Sequence, residues 1–508
     1  MSVWAAIAAD FKTNPFFHQL REFEISAELK RRAILWQMRT GKSKLIVDTA
    51  CWLHRIGEID AVIVIAPNGV HENWIARELP AHNWDTTDVL TLAWRTSVAG
   101  SKGEARVRAY ERQSWKDQHE GFWMKVKLML KAPQLTWFAL ASETVTRKDV
   151  RNLVARIVRM KKGRILLVVD ESDDFGAPGS KKTMMIRALA NKCSHQRILT
   201  GTVVENSPLR AYSQYELLGF HTLGFENFED FKDEYAVYQT RKLRNGREFP
   251  ELKNYKNLDD LKERMARFSS VVLRPPDMSE LIQVPRRIVL TDEQKRLYRE
   301  LTESTLLELG DRDISLGEYP PGLVKFQQIV SGYIVDEFGD VHEIPGENPR
   351  LDAIVDEVLM TGGRNVIWCA FRREMDEVIK ALEAAGRKVL QYHGRSTDDE
   401  KALARKEFAP RVESDYTDLV GHPRSGGRGL NLAGADKIIW YSHTTDAVVR
   451  FQADERASEM GGGAVPVVDF RALGVDDYIL DEILAPKAEI AEDVARTGLR
   501  EVLDRIAV

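Results

Sequence analysis

At 508 residues, with 44% hydrophobic and 30% charged side chains, the chain is long enough for two or three packed domains and too apolar to be read as disordered. A formal charge of −4 provides no global positive field, so any polyanionic partner has to be met by local basic patches. Cys51, Cys193 and Cys369 are too few and too scattered for a disulfide framework or a zinc knuckle, and no apolar run reaches membrane-spanning length, so a soluble intracellular protein is expected.

The first strand-like run, residues 33–37, leads into Trp36-Gln37-Met38-Arg39-Thr40-Gly41-Lys42-Ser43. Its Gly-Lys-Ser ending is what a nucleotide-phosphate loop requires. Backbone amides around Thr40 and Gly41 would face phosphates, the Lys42 ammonium would reach the outer two, and the Ser43 hydroxyl would ligate Mg²⁺ where the next helix begins. Trp36 stands where the pattern has its first glycine. Strand-like runs follow at 61–66, 135–139, 164–169 and 196–200, separated by amphipathic helical stretches, which implies a parallel sheet with helices on both faces. The fourth run, Ile165-Leu166-Leu167-Val168-Val169, reads as buried on both faces and ends in Asp170-Glu171-Ser172-Asp173. Acids at the end of such a strand are costly unless used. Asp170 is expected to hold Mg²⁺ through its water shell and Glu171 to orient and deprotonate an attacking water. A solvated acidic loop continuing through Asp174 is the alternative, and the upstream Lys42 favours the catalytic reading.

Between about residues 209 and 347 strand signals become sparse, and 212–218, 258–268, 292–307 and 323–329 look helical. Alternation resumes with strands at 365–369, 389–393, 417–420, 437–441 and 465–470, interleaved by helices such as 372–385. The expected division is therefore a first α/β domain over 1–208, a mainly helical insertion over 209–347, and a second α/β domain over 348–508.

Several local sequences converge on one resemblance. Pro15-Phe16-Phe17-His18-Gln19, the Lys42 loop, Ile65-Ala66-Pro67, Asp170-Glu171-Ser172-Asp173, Leu199-Thr200-Gly201-Thr202, Ser425-Gly426-Gly427-Arg428-Gly429-Leu430-Asn431-Leu432 and Gln452-Ala453-Asp454-Glu455-Arg456 occur in helicase order. The chain resembles a superfamily 2 helicase of the Swi/Snf-like group, from Pro15 to about Leu480. Its compactness and its lack of chromatin-reader modules resemble a bacterial or phage member, with the cytoplasm of a bacterial host as the expected location.

The resemblance implies an α/β fold of two RecA-like parallel-sheet domains with a mainly helical insertion, ATP and Mg²⁺ bound between the domains, and nucleic acid gripped by both. It implies that Gln19 reads the adenine edge, that Arg39, Thr40, Gly41, Lys42 and Ser43 line the phosphates, and that Ser43 and Asp170 serve the metal. Glu171 would activate water, while Thr200, Gly201 and Thr202 couple nucleotide state to the grip on the polynucleotide. From the second domain, Gly427 and Gly429 would let the backbone approach phosphates. Gln452 and Arg456, four residues apart, would point from one helix face at the nucleotide, with Arg456 as the transition-state cation. An ion pair with Glu455 or Glu459 is the alternative use of that guanidinium.

Two positions depart from the family pattern. Glu459 sits where a second arginine belongs, and a carboxylate beside a γ-phosphate would repel it; Arg450 and Arg471 are the nearby candidates to supply the charge. Arg39 replaces a glycine. For nucleic acid, Pro67, Asn68, Phe371 and Arg372 match positions that touch the tracked strand in related motors, and Arg428 would add a charged contact. The cluster containing Arg241, Lys242 and Arg244 is either a phosphate clamp or a solvated loop. Trp74 and Trp94 are either base-stacking platforms or core. The expected activity is ATP-driven translocation on double-stranded or branched DNA without sequence specificity. The alternatives are an RNA helicase and a catalytically weak, nucleotide-gated DNA-binding module.

Overall fold

The computed structural model describes residues 7, 10–68, 70–94, 124–201, 208–242, 248–272, 279–309, 322–336, 338–426, 431–458 and 462–485. The chain divides into two compact units, with the boundary between Arg274 and Pro275.

In the first unit the strands are β1 (Arg31–Trp36), β2 (Ala61–Ala66), β3 (Val89–Ala93), β4 (Leu135–Ala141), β5 (Ile165–Val169), β6 (His195–Thr200), β7 (Ala236–Lys242), β8 (Glu248–Tyr255) and β9 (Ser269–Val272). Seven of them form one sheet in the order β3-β4-β2-β5-β6-β1-β9, and every pairing in it is parallel. The uninterrupted apolar sequences of β2 and β5 follow from this position, since both strands are buried along their whole length. Ile34, Trp36, Val62, Val64, Leu166 and Val168 share one core with Leu45, Ile46, Ala50 and Leu53 of the helix Lys42–Arg55. Each such side chain contributes roughly 1.5–3 kcal/mol when fully buried. The helix is thereby fixed against the sheet directly behind the loop that precedes it. β7 and β8 pair with each other as an antiparallel hairpin.

The second unit contains β10 (Leu281–Ile288), β11 (Tyr333–Val335), β12 (Val341–Glu343), β13 (Asn365–Trp368), β14 (Val389–Tyr392), β15 (Asp418–Gly421), β16 (Lys437–Trp440) and β17 (Val465–Ala472). Its six-stranded sheet, β10-β17-β16-β13-β15-β14, is also parallel throughout. Alternate residues feed two separate cores. Val366, Trp368, Ile438, Trp440 and Val467 pack on one face, and Ile367, Ile439, Tyr441, Val468 and Phe470 on the other. Two parallel-sheet α/β domains are thus the architecture expected from the alternation of strands and helices.

The stretch 209–347 differs from a mainly helical insertion. It carries the helices Arg210–Glu216, Leu258–Ala266, Asp292–Leu309 and Leu323–Val330, but also the β7-β8 hairpin, and it supplies an edge strand to each large sheet, β9 beside β1 and β10 beside β17. Edge strands lack the all-apolar signature of central ones. β9 is Ser-Ser-Val-Val, and β10 is largely exposed and contains Pro285, which an edge position tolerates. β3, the other edge of the first sheet, is half-buried and was likewise not among the expected strands. Among the described residues, no helix is long and apolar enough to cross a membrane.

Candidate functional site

Because the first sheet is parallel, β1, β6 and β5 deliver their C-terminal ends to the same edge, and ligands of open α/β sheets bind outside that edge. Trp36 is the last residue of β1; it is buried, and its indole donates to Ser270 Oγ of β9 at 2.9 Å. The position of the missing glycine is therefore strand, and the loop proper begins after it. Arg39 adopts a left-handed backbone, φ 61°, the conformation that the glycine usual at this place takes without strain. Gly41, with φ 80°, caps the helix Lys42–Arg55. A side chain there would be strained by that φ and would displace the Gln19 carboxamide, whose Nε2 a Cβ would approach to 1.9 Å.

The loop is held from outside by the helix Phe17–Ser26. Gln19 Nε2 donates to the carbonyls of Gly41 at 3.0 Å and Thr40 at 3.3 Å, while its Oε1 accepts the Phe16 N–H at 2.7 Å. His18 Nε2 lies 2.8 Å from the Thr40 carbonyl, and Thr40 Oγ1 donates to Gln37 O at 2.7 Å. Gln19 is buried, and its carboxamide braces the phosphate loop. Lys42 Nζ arches over the loop to the carbonyls of Trp36 at 2.8 Å and Gln37 at 3.2 Å.

At the end of β5, Asp170 Oδ2 accepts the Trp74 indole N–H at 2.9 Å and Oδ1 accepts the Glu171 N–H at 3.0 Å. Desolvation, and then the negative charge of Glu171, push the Asp170 carboxyl up to about 6. Glu171 itself has a left-handed backbone, φ 49° and ψ 58°, and its Oε2 is buried without a hydrogen-bond partner. A non-glycine residue there stores about 1–3 kcal/mol of strain, and such outliers concentrate at functional sites. Asp173 links the same segment to β6. It is buried, and its Oδ1 accepts the Thr200 hydroxyl at 3.2 Å, so it is not part of a solvated acidic loop. Gly201 lies against the phosphate loop: a Cβ would come 3.0 Å from Met38 Cγ and 3.9 Å from Lys42 Nζ. The structure thus gathers Gln19, Arg39, Thr40, Gly41, Lys42, Thr200 and Gly201 around one loop. It also ties Thr200 to the acidic segment that starts at Asp170.

The oxygen donors present suit a hard divalent cation. The Ser43 hydroxyl and the Asp170 carboxylate are of the type Mg²⁺ takes, and the unpartnered Glu171 oxygen beside Asp170 suits a group that handles water. Burial raises the carboxyl pKa of Glu78, at the end of the segment Trp74–Glu78. Trp74, His18 and Asp173 were not assigned these contacts from sequence.

In the second unit the helix Ala447–Glu455 carries Gln452, which is buried, and ends at Arg456, which is half-buried. The Arg456 carbonyl accepts the Leu432 N–H at 2.9 Å, bringing the end of the glycine-rich segment beside it. The two nearby arginines are committed elsewhere. Arg450 bridges Asp454 at 2.8 Å and Asp469 at 2.7 Å; Arg471 pairs with Asp477 and Asp481. Neither is a spare cation.

Among the nucleic-acid candidates, Pro67 is buried and Asn68 exposed at the end of β2, Phe371 caps the helix Arg372–Ala384, and Arg372 is exposed, 3.9 Å from Asp376. Arg241 and Lys242 end β7 of the hairpin. Trp74 and Trp94 are buried, which excludes both as exposed stacking platforms. Thr202, Arg244, Gly427, Arg428, Gly429 and Glu459 lie outside the described residues.

No family model matches the chain. Curated proteins match it locally. The yeast (Saccharomyces cerevisiae) transcription regulatory protein SNF2 is 31% identical over 123 residues, 24% of this chain and 7% of that protein. The human SWI/SNF-related matrix-associated actin-dependent regulator of chromatin subfamily A member 1 is 28% identical over 145 residues, 28% of this chain and 14% of its own length. A probable ATP-dependent DNA helicase of Arabidopsis thaliana, CHR12, is 26% identical over 155 residues, 30% of this chain and 14% of that protein. The matches thus span well under a fifth of each relative. Among solved structures, the Sulfolobus solfataricus SWI2/SNF2 ATPase core in complex with dsDNA aligns over 98% of both chains at 18% identity, with a TM-score of 0.39. Over the locally matched stretches the chain is similar to Swi2/Snf2-type proteins.

Proposed function

We propose that the protein is a DNA-dependent ATPase that uses hydrolysis of ATP to ADP and phosphate to move on duplex or branched DNA, remodelling it or displacing bound proteins. The observation that carries this reading is the convergence at one sheet edge of the Lys42 loop, the strained Asp170-Glu171 pair and the Thr200-Gly201 turn. In it, Lys42 and the loop amides hold the phosphates, Ser43 and Asp170 hold Mg²⁺, and Glu171 takes a proton from the attacking water. Mg²⁺, when bound, neutralises phosphate charge. Thr200 reports the state of the acidic segment through Asp173, and Gly201 reports that of the loop. Gln452 and Arg456, with Gly427 and Gly429, are the proposed contribution of the second unit to turnover. Asn68, Arg372, Arg428 and the hairpin cluster of Arg241, Lys242 and Arg244 are the proposed phosphate contacts to DNA.

One observation favours a second reading. With Arg450 and Arg471 both held in ion pairs, Arg456 is left as the proposed transition-state cation, which suits a slow, nucleotide-gated DNA-binding module. Steady-state hydrolysis with no nucleic acid, duplex DNA, single-stranded DNA or RNA, set against Lys42→Ala, separates the readings. Duplex stimulation that vanishes in Lys42→Ala supports the motor, and ATP-dependent triplex displacement then tests movement. RNA stimulation would point to an RNA helicase. DNA affinity that changes with nucleotide, without phosphate release, would leave the gated module.

A further inference from the structure

The chain leaves β6 at Thr200 and comes back to the same place at Arg210. The helix Arg210–Glu216 begins there, and the guanidinium of its first residue donates from Nη2 to the main-chain carbonyl of Asp173 at 2.5 Å. That carbonyl also accepts the Gly176 N–H at 3.3 Å, closing the 3₁₀ turn Ser172–Phe175 that follows the acidic pair. Thr200 holds the side chain of the same residue, its hydroxyl donating to Asp173 Oδ1 at 3.2 Å. Asp173 is thus gripped at its side chain and at its main chain from the two ends of one connection. The guanidinium rests directly on a glycine: a Cβ on Gly176 would lie 2.3 Å from Arg210 Nε and 2.8 Å from Cζ, and would displace it.

The turn held in this way carries the strain of the site. Glu171 caps it at φ 49° and ψ 58°, a left-handed conformation that a glutamate keeps only when its surroundings over-determine it. A 3₁₀ turn imposes little by itself, because its hydrogen bonds have poorer geometry than those of an α-helix. The group that Arg210 holds is the peptide joining Asp173 to Asp174. Its carbonyl accepts from the guanidinium, and its N–H donates back to the Glu171 carbonyl at 3.1 Å. Fixing that peptide plane therefore fixes the main chain of Glu171. A hydrogen bond from a charged donor is stronger than a neutral one, and is of the same order as the strain it has to offset.

Resting on the reading of Glu171 as the group that takes a proton from water, we propose that Arg210 is a positioning residue for Glu171, holding the Asp173–Asp174 peptide and through it the strained backbone that aims the carboxylate. Arg210 acts through Glu171 and not on the nucleotide. A guanidinium that merely packed its helix on the turn would be matched by an uncharged side chain of similar bulk, and its loss would be felt with or without the Glu171 carboxylate.

The test measures phosphate release from ATP, in steady state and in single turnover, together with binding of fluorescent N-methylanthraniloyl-ADP. It uses the full chain as wild type, Arg210→Ala, Arg210→Lys, Arg210→Met, Glu171→Gln, Glu171→Gln combined with Arg210→Ala, and Lys42→Ala. Arg210→Ala should lower kcat about 10–100-fold, the cost of a misplaced catalytic group, with KM and nucleotide affinity within about twofold of wild type. Arg210→Met keeps bulk over Gly176 without a donor and should lose as much, whereas Arg210→Lys should recover part of the rate. In the Glu171→Gln background Arg210→Ala should cost nothing further, since the two act as one unit. Should Arg210→Ala fail to fold, the contrast between Arg210→Lys and Arg210→Met decides. An unchanged kcat in Arg210→Met overturns the proposal, as does an equal loss of nucleotide affinity, or the same fold-loss of turnover in the Glu171→Gln background. If wild type releases no more phosphate than Lys42→Ala, or Glu171→Gln turns over as wild type does, the site reading itself is wrong and the role of Arg210 falls with it.

Discussion

Two buried carboxylate sites, one in each unit, are handled in opposite ways. In the second unit Asp454 and Asp469 are buried against the guanidinium of Arg450, and Trp440 Nε1 adds a hydrogen bond to Asp454 at 2.7 Å. In the first unit Asp170 is oriented by two N–H donors and has no ion-pair partner among the described residues. Burial raises the carboxyl pKa of both Asp170 and Asp454. Of these two acids, only Asp454 has a cation of the fold against it; within the first unit Asp48 is paired in the same way with Lys44 at 2.8 Å, so Asp170 stands apart even from its own unit. An acid neutralised by its own protein is scaffold, whereas an acid held rigid but not neutralised is prepared for a positive charge that arrives from outside.

The sharpest way to break this comparison is to remove the acids that it calls functional. Glu171→Gln should lower DNA-stimulated phosphate release by a factor on the order of 10²–10⁴, the range of a lost general base, with nucleotide binding retained. Asp170→Asn should also abolish turnover, yet leave the urea midpoint of unfolding unchanged or higher, because it neutralises a desolvated charge. If Asp170→Asn unfolds the first unit, the carboxylate is scaffold and the contrast fails.

The converse experiment is Arg450→Met. It leaves Asp454 and Asp469 buried without their cation and should destabilise the protein by roughly 3–5 kcal/mol in chemical denaturation. A loss below about 1 kcal/mol, the worth of a surface pair, would mean that water or another group solvates those acids. The pair Arg350–Asp476, fully buried in the same unit, should behave in the same way.

Thr200→Val sharpens the comparison on a finer scale. It removes the hydroxyl that joins β6 to Asp173 and should cost about 1 kcal/mol of stability. If Thr200 couples the nucleotide to the nucleic acid, the ratio of DNA-stimulated to unstimulated hydrolysis should fall by more than the unstimulated rate does. Equal losses in both would mark the contact as local support only.

What could be read in the sequence follows the same line between buried and exposed backbone. The central strands β2 and β5 are unbroken apolar runs because both faces are covered, and Asp170 and Glu171, the proposed catalytic acids, are conspicuous by following one. The edge strands β3, β9 and β10 pack on fewer sides, so Ser269, Ser270 and Pro285 carry no strand signal, and the stretch holding β9 and β10 reads as helical. Lys42 and Gly41 were legible because a phosphate loop needs those residue types at that spacing. The contacts of Asp173 with Thr200 and of Trp74 with Asp170 span 27 and 96 residues along the chain, and only the sheet order brings such partners together. Arg450 and Arg471 show the limit from the other side. Their positions in sequence suggested free cations, yet Arg450 meets Asp454 one helical turn on and Asp469 of β17, which reaches it only in the fold, and Arg471 meets Asp477 and Asp481.

The smallest expected effect is a pH dependence of the first unit, and here the two kinds of buried group act with opposite signs. His195 is buried, and desolvation together with the charges of Arg197 and Lys30 lowers its pKa from 6.5 to about 4. His82 is lowered to about 4 by burial and by Lys44. Between those values the unfolded chain binds more protons than the folded one, so the contribution of both histidines is full above pH 6.5 and is lost as pH falls toward 4. Asp170, raised from 3.8 to about 6, has the opposite sign: the folded state binds the extra proton, so stability is gained as pH falls through 6. His71, also lowered by burial, adds to the histidines, and Asp48, Glu78 and Glu216, also raised by burial, add to the aspartate, so the comparison is carried by single variants and not by the wild-type slope. Removing the opposing group should make the slope steeper, so Asp170→Asn is expected to lose more stability than wild type over the same interval. His195→Asn should make it shallower. An Asp170→Asn slope equal to that of wild type would mean that the carboxylate is not desolvated after all.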